Sequence, residues 1–220
     1  MTDTKTLSSV SEGDDHYYIA GYTHEDDPFV DHNGVLLNKL GLTDTASLNV
    51  AEADLSSPRL IEIRECPIIG AFDLEHLCAI HHHIFQDIYP WAGQLRVVDT
   101  GKRSSMFLHH GKIIERFRIL TTRLANSNFF DDFKGDLEAY SNEGGVIFAE
   151  INAIHAFREG NGRTQREFFA LLAARAGFEI SWAGVSSQAM IEACAEARCD
   201  LTPSHRKIIR LVKLNSTPTG

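Results

Sequence analysis

A histidine, a carboxylate, two glycines around an amide and two arginines fall within twelve residues: His155-Ala-Phe157-Arg158-Glu159-Gly160-Asn161-Gly162-Arg163-Thr-Gln-Arg166. This is equipment for holding a metal-bound polyphosphate and taking a proton from a nucleophile beside it. The first turn of a helix has N–H groups without partners and carries the positive end of the peptide dipoles, so phosphate binds there. Glycines let successive N–H groups converge on an anion. Asn161 adds an amide donor, and Arg163 and Arg166, three apart on a helix, can both fork onto phosphate oxygens. Glu159 would repel phosphate unless it holds a divalent cation that bridges the phosphates. His155, one turn away, carries an imidazole suited to accept a hydroxyl proton. Each residue alone also fits an ordinary helix–glycine-turn–helix joint with solvated charges. The ordered string of matched positions favours the chemical reading.

Such a string needs two helices around it. Leu137, Tyr140, Ile147, Phe148, Ile151 and Ile154 recur at helical spacing and stop at His155. Gly144-Gly145 weakens that helix, by roughly 1 kcal/mol per glycine. Phe168, Phe169, Leu172 and Ala173 form a second stripe, stopped at Gly177. The spacing predicts a tight turn over 158–162 and a helix starting near Arg163.

With those residues in place, the chain resembles the Fic (filamentation induced by cAMP) family, whose signature is H-x-F-x-[DE]-G-N-G-R-x-x-R. His155, Phe157, Glu159, Gly160, Asn161, Gly162, Arg163 and Arg166 fill every specified position. Trp91-Ala92-Gly93-Gln94-Leu95-Arg96 is similar to the family's W-A-G-[KQ]-x-R segment, and Val97 to Phe107 to its flap. Asp27-Pro28-Phe29 to Asn38-Lys39-Leu40-Gly41 looks like its opening helix. The resemblance covers roughly residues 20 to 212. It implies a protein adenylyltransferase that moves AMP from Mg-ATP to a Ser, Thr or Tyr hydroxyl of a target protein.

In that reading His155 is the general base and Glu159 holds Mg²⁺ against the α- and β-phosphates of ATP. Gly160, Asn161 and Gly162 form the anion hole, Arg163 contacts the middle phosphate and Arg166 the γ-phosphate. Phe157 is a core anchor. The flap, Thr100, Gly101, Lys102, Arg103, Ser104, Ser105 and Met106, clamps the target by adding its strand alongside. A related branch, the Doc kinases, has lysine where Gly162 stands, so glycine here favours AMP transfer over phosphorylation. A Fic-shaped module that binds without turnover is the remaining alternative. Many members are silenced by a [ST]-x-x-x-E-[GN] helix whose glutamate would pair with Arg166. No such string follows the motif. Ser8 to Gly13 fits by letter, but among poor helix formers. The expected inhibitor is a separate small helical antitoxin.

Scaffold helices are expected over Leu36–Leu40, over 46–64 with a break at Pro58 and Ser57 capping the second part, and over 74–88 after Asp73. Others are expected after Gly111, after Ser186-Ser187 and over Ser204–Val212. Val97 and Val98 suggest short strands around the turn at Thr100–Ser104. The fold class is therefore all-α: a Fic-type helical bundle with a small β-hairpin flap. One domain is expected over 17–213, with a disordered 1–16 and a frayed tail over 214–220.

A net charge of −9 without a basic stripe excludes nucleic acid as the main partner. No apolar run is long enough to span a bilayer, and no signal-peptide pattern is present. The expected location is the bacterial cytoplasm, or a host cytosol for a delivered effector. Cys66, Cys78, Cys194 and Cys199 show no CxxC pairing and read as free thiols. His81-His82-His83 with His76 suggests a metal site, but consecutive helical residues point about 100° apart and cannot converge on one ion.

Overall fold

The computed structural model describes residues 27–102, 105–182, 185–186, 188–190, 192–193 and 213–216. Among these the chain forms five α-helices and two small antiparallel strand pairs. The all-α class with a small hairpin is what the sequence predicts.

Helix α1 runs unbroken from Thr45 to Glu65. Asp44 caps it, its carboxylate accepting from the Ser47 N–H at 2.8 Å. The break expected at Pro58 does not occur. Pro58 lies on the exposed face, where the carbonyl that loses its N–H partner can turn to water. Ser57, expected as a cap, instead donates its hydroxyl to the Ala53 carbonyl within the same helix, at 2.6 Å. Helix α2, Leu74–Phe85, opens as expected on Asp73, which accepts from the His76 N–H at 2.9 Å. It ends three residues short of Ile88, in a turn where the Ile88 and Tyr89 N–H groups both bond the Phe85 carbonyl.

Helix α3 spans Ile113–Asn126, α4 Leu137–Ile154 and α5 Asn161–Arg175. Gly144 and Gly145 do not interrupt α4 and are buried. Helix α5 packs on both α2 and α4, with α3 against α4. Phe168 meets Phe117 and Phe72 edge-on, while Phe169 meets Phe148 and Phe130 in the same way. These rings bury the stripe read from the sequence and set the axis of α5.

Other expectations are corrected. No helix forms over Leu36–Leu40. Asp31 accepts from the Asn33 and Val35 N–H groups, and Asn38 from those of Leu40 and Leu42. Side chains that capture neighbouring N–H groups favour turns over helix. The hairpin strands are short and lie at the turn itself: β1 is Gly101–Lys102 and β2 is Ser105–Met106. Val97 and Val98 fall outside them. The tail expected to fray after Leu214 contributes to a strand. Here β4, Lys213–Ser216, pairs antiparallel with β3, Phe178–Ser181. Four residues are too few for periodicity to announce a strand. Ser186 accepts from the Ala189 N–H at the start of a helical stretch through Met190. The expected helix Ser204–Val212, the Ser8–Gly13 string, and Cys194 and Cys199 lie outside the described residues, while Cys66 and Cys78 are free thiols.

Candidate active site

Helix α4 ends on His155, which takes left-handed backbone angles (φ 49°, ψ 64°). That conformation is uncommon for a residue with a side chain and turns the chain sharply into the glycine loop. The imidazole is buried and lies flat on Phe107, ring centres 3.6 Å apart and planes 5° from parallel. Phe107 follows the hairpin directly, so the flap base fixes the plane of the base candidate.

Arg96 secures that junction. It is almost fully buried and donates Nε–H to the His155 carbonyl at 2.7 Å and Nη1–H to that of Val98 at 2.8 Å. Its Nη2 serves the carbonyls of Ile154, at 3.2 Å, and Leu108. The backbone adds Leu108 N–H to Ala153 C=O and Arg96 N–H to Ala156 C=O, each at 3.0 Å. The last carbonyls of α4, otherwise orphaned, are thus capped by the flap base. Burial brings the Arg96 guanidinium down to about 10.

The loop between α4 and α5 braces itself. Asn161 accepts from the Phe157 N–H at 2.9 Å and donates to the Phe157 carbonyl at 2.7 Å. Its amide thus uses its oxygen and one of its two N–H donors on the loop, which fixes the orientation of the second. Phe157 is in the core, stacked on His81 at 3.9 Å. Gly160 is left-handed (φ 79°), and a Cβ there would come within 2.3 Å of the Phe85 ring, so no other residue fits. Arg158, in an unspecified motif position, forms a buried 2.7 Å ion pair with Asp27 that ties the lead-in segment to the loop.

His81 shows why the histidine cluster is not a metal site. Its Nε2–H donates to the Glu159 carbonyl at 3.0 Å, and its Nδ1 accepts from the Gly93 N–H at 2.8 Å. Both nitrogens are used, and burial lowers the imidazole to about 3, so the ring is neutral. It staples the Trp91-Ala92-Gly93 segment to the motif loop. His76 is likewise engaged, with the Ile68 carbonyl and the Phe72 N–H.

Glu159 lies half-buried at the turn, one carboxylate oxygen accepting from the Gly160 N–H at 2.7 Å. Burial raises its pKa above the ordinary carboxylate range, and the charge of Glu52 adds to the shift. Helix α5 begins at Asn161, two residues earlier than expected, which puts Asn161, Gly162 and Arg163 in its unbonded first turn. A Cβ on Gly162 would lie 3.5 Å from Arg166 Nη1, so the Arg166 guanidinium folds back over that turn. His155, Glu159, Gly160, Gly162 and Arg166 all fall between the end of α4 and the first turns of α5.

Arg163 turns the other way, toward α1. Its Nη1 donates to Ser56 Oγ at 3.0 Å, its Nη2 pairs with Glu52, and its guanidinium lies 4.7 Å above the Phe85 ring. Tyr89 donates its hydroxyl to the other Glu52 oxygen. The sequence reading missed Glu52, Ser56, Tyr89, Phe107 and His81 as parts of the site. A signal existed for two of them: Glu52 and Ser56 interrupt the buried face of α1 between Leu48 and Ile63.

In the flap, Gly101 pairs with Met106 and Lys102 with Ser105. Thr100 is buried, and its carbonyl accepts from the Phe107 N–H at 3.0 Å. Arg103 and Ser104 lie outside the described residues. Asp99 anchors the far side by accepting from His110, through both its N–H and its Nδ1.

The Fic/DOC family model matches residues 71–173. Protein adenylyltransferase VbhT of Bartonella schoenbuchensis is 39% identical over 177 residues, 80% of this chain and 37% of VbhT. This chain thus spans little more than a third of that relative. A probable protein adenylyltransferase of Sinorhizobium fredii, y4lH, is 34% identical over 81% of this chain and 91% of its own length. Among solved structures, the effector BepC of Bartonella tribocorum, with bound AMPPNP, superposes with a TM-score of 0.77 at 21% identity, over 85% of this chain and 97% of BepC. The likeness to BepC is one of fold. A chain that matches the Fic/DOC model over its motif helices and is 34% identical to y4lH over 91% of that relative belongs to the Fic/DOC family.

Proposed function

We propose that this chain transfers AMP from ATP to a Ser, Thr or Tyr hydroxyl of a target protein. The target oxygen attacks the α-phosphorus, the bond to the bridging oxygen breaks, pyrophosphate leaves, and His155 takes the hydroxyl proton. The observation that carries this reading is the left-handed bend that joins the end of α4 at His155 to the unbonded first turn of α5, with Glu159 and Gly160 in the bend and Arg166 beside Gly162. Phosphate transfer needs positioning and charge neutralisation more than covalent help, and the bend offers both. The names of VbhT and y4lH support the activity, and BepC's bound AMPPNP supports the nucleotide class.

Mg²⁺ fits Glu159, a half-buried carboxylate whose charge is disfavoured by burial and by Glu52 and is therefore relieved by a cation. Bound there, it would neutralise phosphate charge. Gly160, Asn161 and Gly162 supply the anion hole through their backbone, with Arg163 and Arg166 as cationic neighbours. The target strand lies along the flap, Thr100 to Met106. The alternative phosphotransfer is disfavoured by the glycine at 162, where the Doc kinases that the motif resembles carry lysine.

In this reading the regulator is a separate small helical antitoxin whose glutamate pairs with Arg166. The place of action is the bacterial cytoplasm, or a host cytosol if the chain, like the VirB-translocated effector BepC, is translocated. The test uses purified protein, Mg²⁺, lysate and ATP labelled on the α- or the γ-phosphate. Protein-bound α label that disappears in His155→Ala is expected. Protein-bound γ label would instead establish a kinase, and neither label a binding module.

A further inference from the structure

We infer that Glu52, on α1, is a positioning residue for nucleotide binding that acts through Arg163. The inference rests on the adenylyltransferase reading and adds to it a residue outside the motif. Three contacts fix the Arg163 guanidinium: Glu52 at Nη2, Ser56 Oγ at Nη1 and the Phe85 ring beneath. Glu52 and Ser56 are four apart on α1 and present adjacent acceptors, while Tyr89 holds the second Glu52 oxygen. Tyr89 is buried and stacked on Trp91 at 4.2 Å. Phe85 also packs against Gly160, where a Cβ would strike its ring. One continuous set of contacts thus joins the anion-binding bend to α1.

A guanidinium has five N–H donors, of which Glu52 and Ser56 take one each. The remaining donors can meet a phosphate without releasing α1. A free arginine side chain must give up rotamer entropy to bind phosphate, and a fixed one has already lost it. Glu52 is itself negatively charged and stands close enough to Glu159 to raise its pKa. Charge alone therefore makes Glu52 unfavourable to a polyphosphate, whereas positioning makes it favourable. The two effects have opposite signs, so one measurement separates them.

The measurement is the calorimetric affinity for Mg-ATP in a His155→Ala background, where turnover is blocked. Glu52→Ala is expected to weaken binding about tenfold, with Ser56→Ala and Tyr89→Phe weakening it about threefold. Glu52→Gln keeps an oxygen for Arg163 and is expected to restore most of the loss. In an Arg163→Gln background the positioning is gone and only the charge remains, so Glu52→Ala should tighten binding slightly there instead of weakening it. Tighter or unchanged binding in Glu52→Ala, or a further tenfold loss on top of Arg163→Gln, would overturn the inference. If Glu52→Ala does not fold, Tyr89→Phe and Ser56→Ala decide the matter, and unchanged binding in both would overturn it. If the His155→Ala parent itself binds no Mg-ATP, the adenylyltransferase reading fails first and carries this inference with it.

Discussion

His81 shows how a residue can matter to a site without touching a substrate. Its neutral ring bridges Gly93 and Glu159, and burial lowers it to about 3. The unfolded chain binds a proton near pH 6.5 and the folded one does not, so stability is full above pH 6.5 and falls as pH drops toward 3. The loss approaches about 1.4 kcal/mol per pH unit. Denaturant titrations at pH 7 and pH 5 should show it. His81→Gln, which can donate and accept in the same places, should flatten the difference. An equally steep fall in His81→Gln would assign the acid sensitivity elsewhere. Gly160 is a second decisive position. Gly160→Ala meets the Phe85 ring and a φ of 79°, so a loss of roughly 2 kcal/mol or more is expected. A denaturation midpoint within error of the parent would contradict the packing described.

At the scale of elements, the flap base and the end of α4 are one unit joined by Arg96. Lysine cannot reach carbonyls on both sides, so Arg96→Lys should cost about 2–4 kcal/mol. It should also loosen Phe107 on His155, which an activity loss larger than the stability loss would reveal. Helix α1 offers the opposite case. Pro58→Ala returns an N–H to the exposed face and should raise the melting temperature by a few degrees. A lower value would mean that Pro58 supports a packing contact. The helices around the motif were legible because their apolar residues recur at a constant interval and Asp73 announces a start. The continuity of α1 was not, because proline's penalty depends on which face it occupies. Nor was the lead-in turn, where Asp31 and Asn38 outcompete the helix. Arg96 stood in a recognisable segment, but its four carbonyls come from three places in the chain, and no spacing encodes that. The brace that Asn161 forms with the Phe157 backbone was not legible either, because no spacing shows that its amide oxygen and one N–H are used within the loop.

For the whole molecule, the central claim is that the bend between α4 and α5 holds polyphosphate within reach of His155. Its two walls are built from distant sequence: α1 through Glu52 and Ser56, and the flap through Phe107 and Arg96. The charge balance suits this arrangement, because a body with net charge −9 leaves the bend as a local anion site. A crystal structure of this chain with Mg²⁺ and a non-hydrolysable ATP analogue tests the claim most directly. The account predicts the phosphates on the N–H groups of Gly160 to Arg163, Arg166 on the terminal phosphate, and the α-phosphorus on the His155 side. Phosphates bound away from this bend, or a γ-phosphorus in the place given to the α, would contradict it.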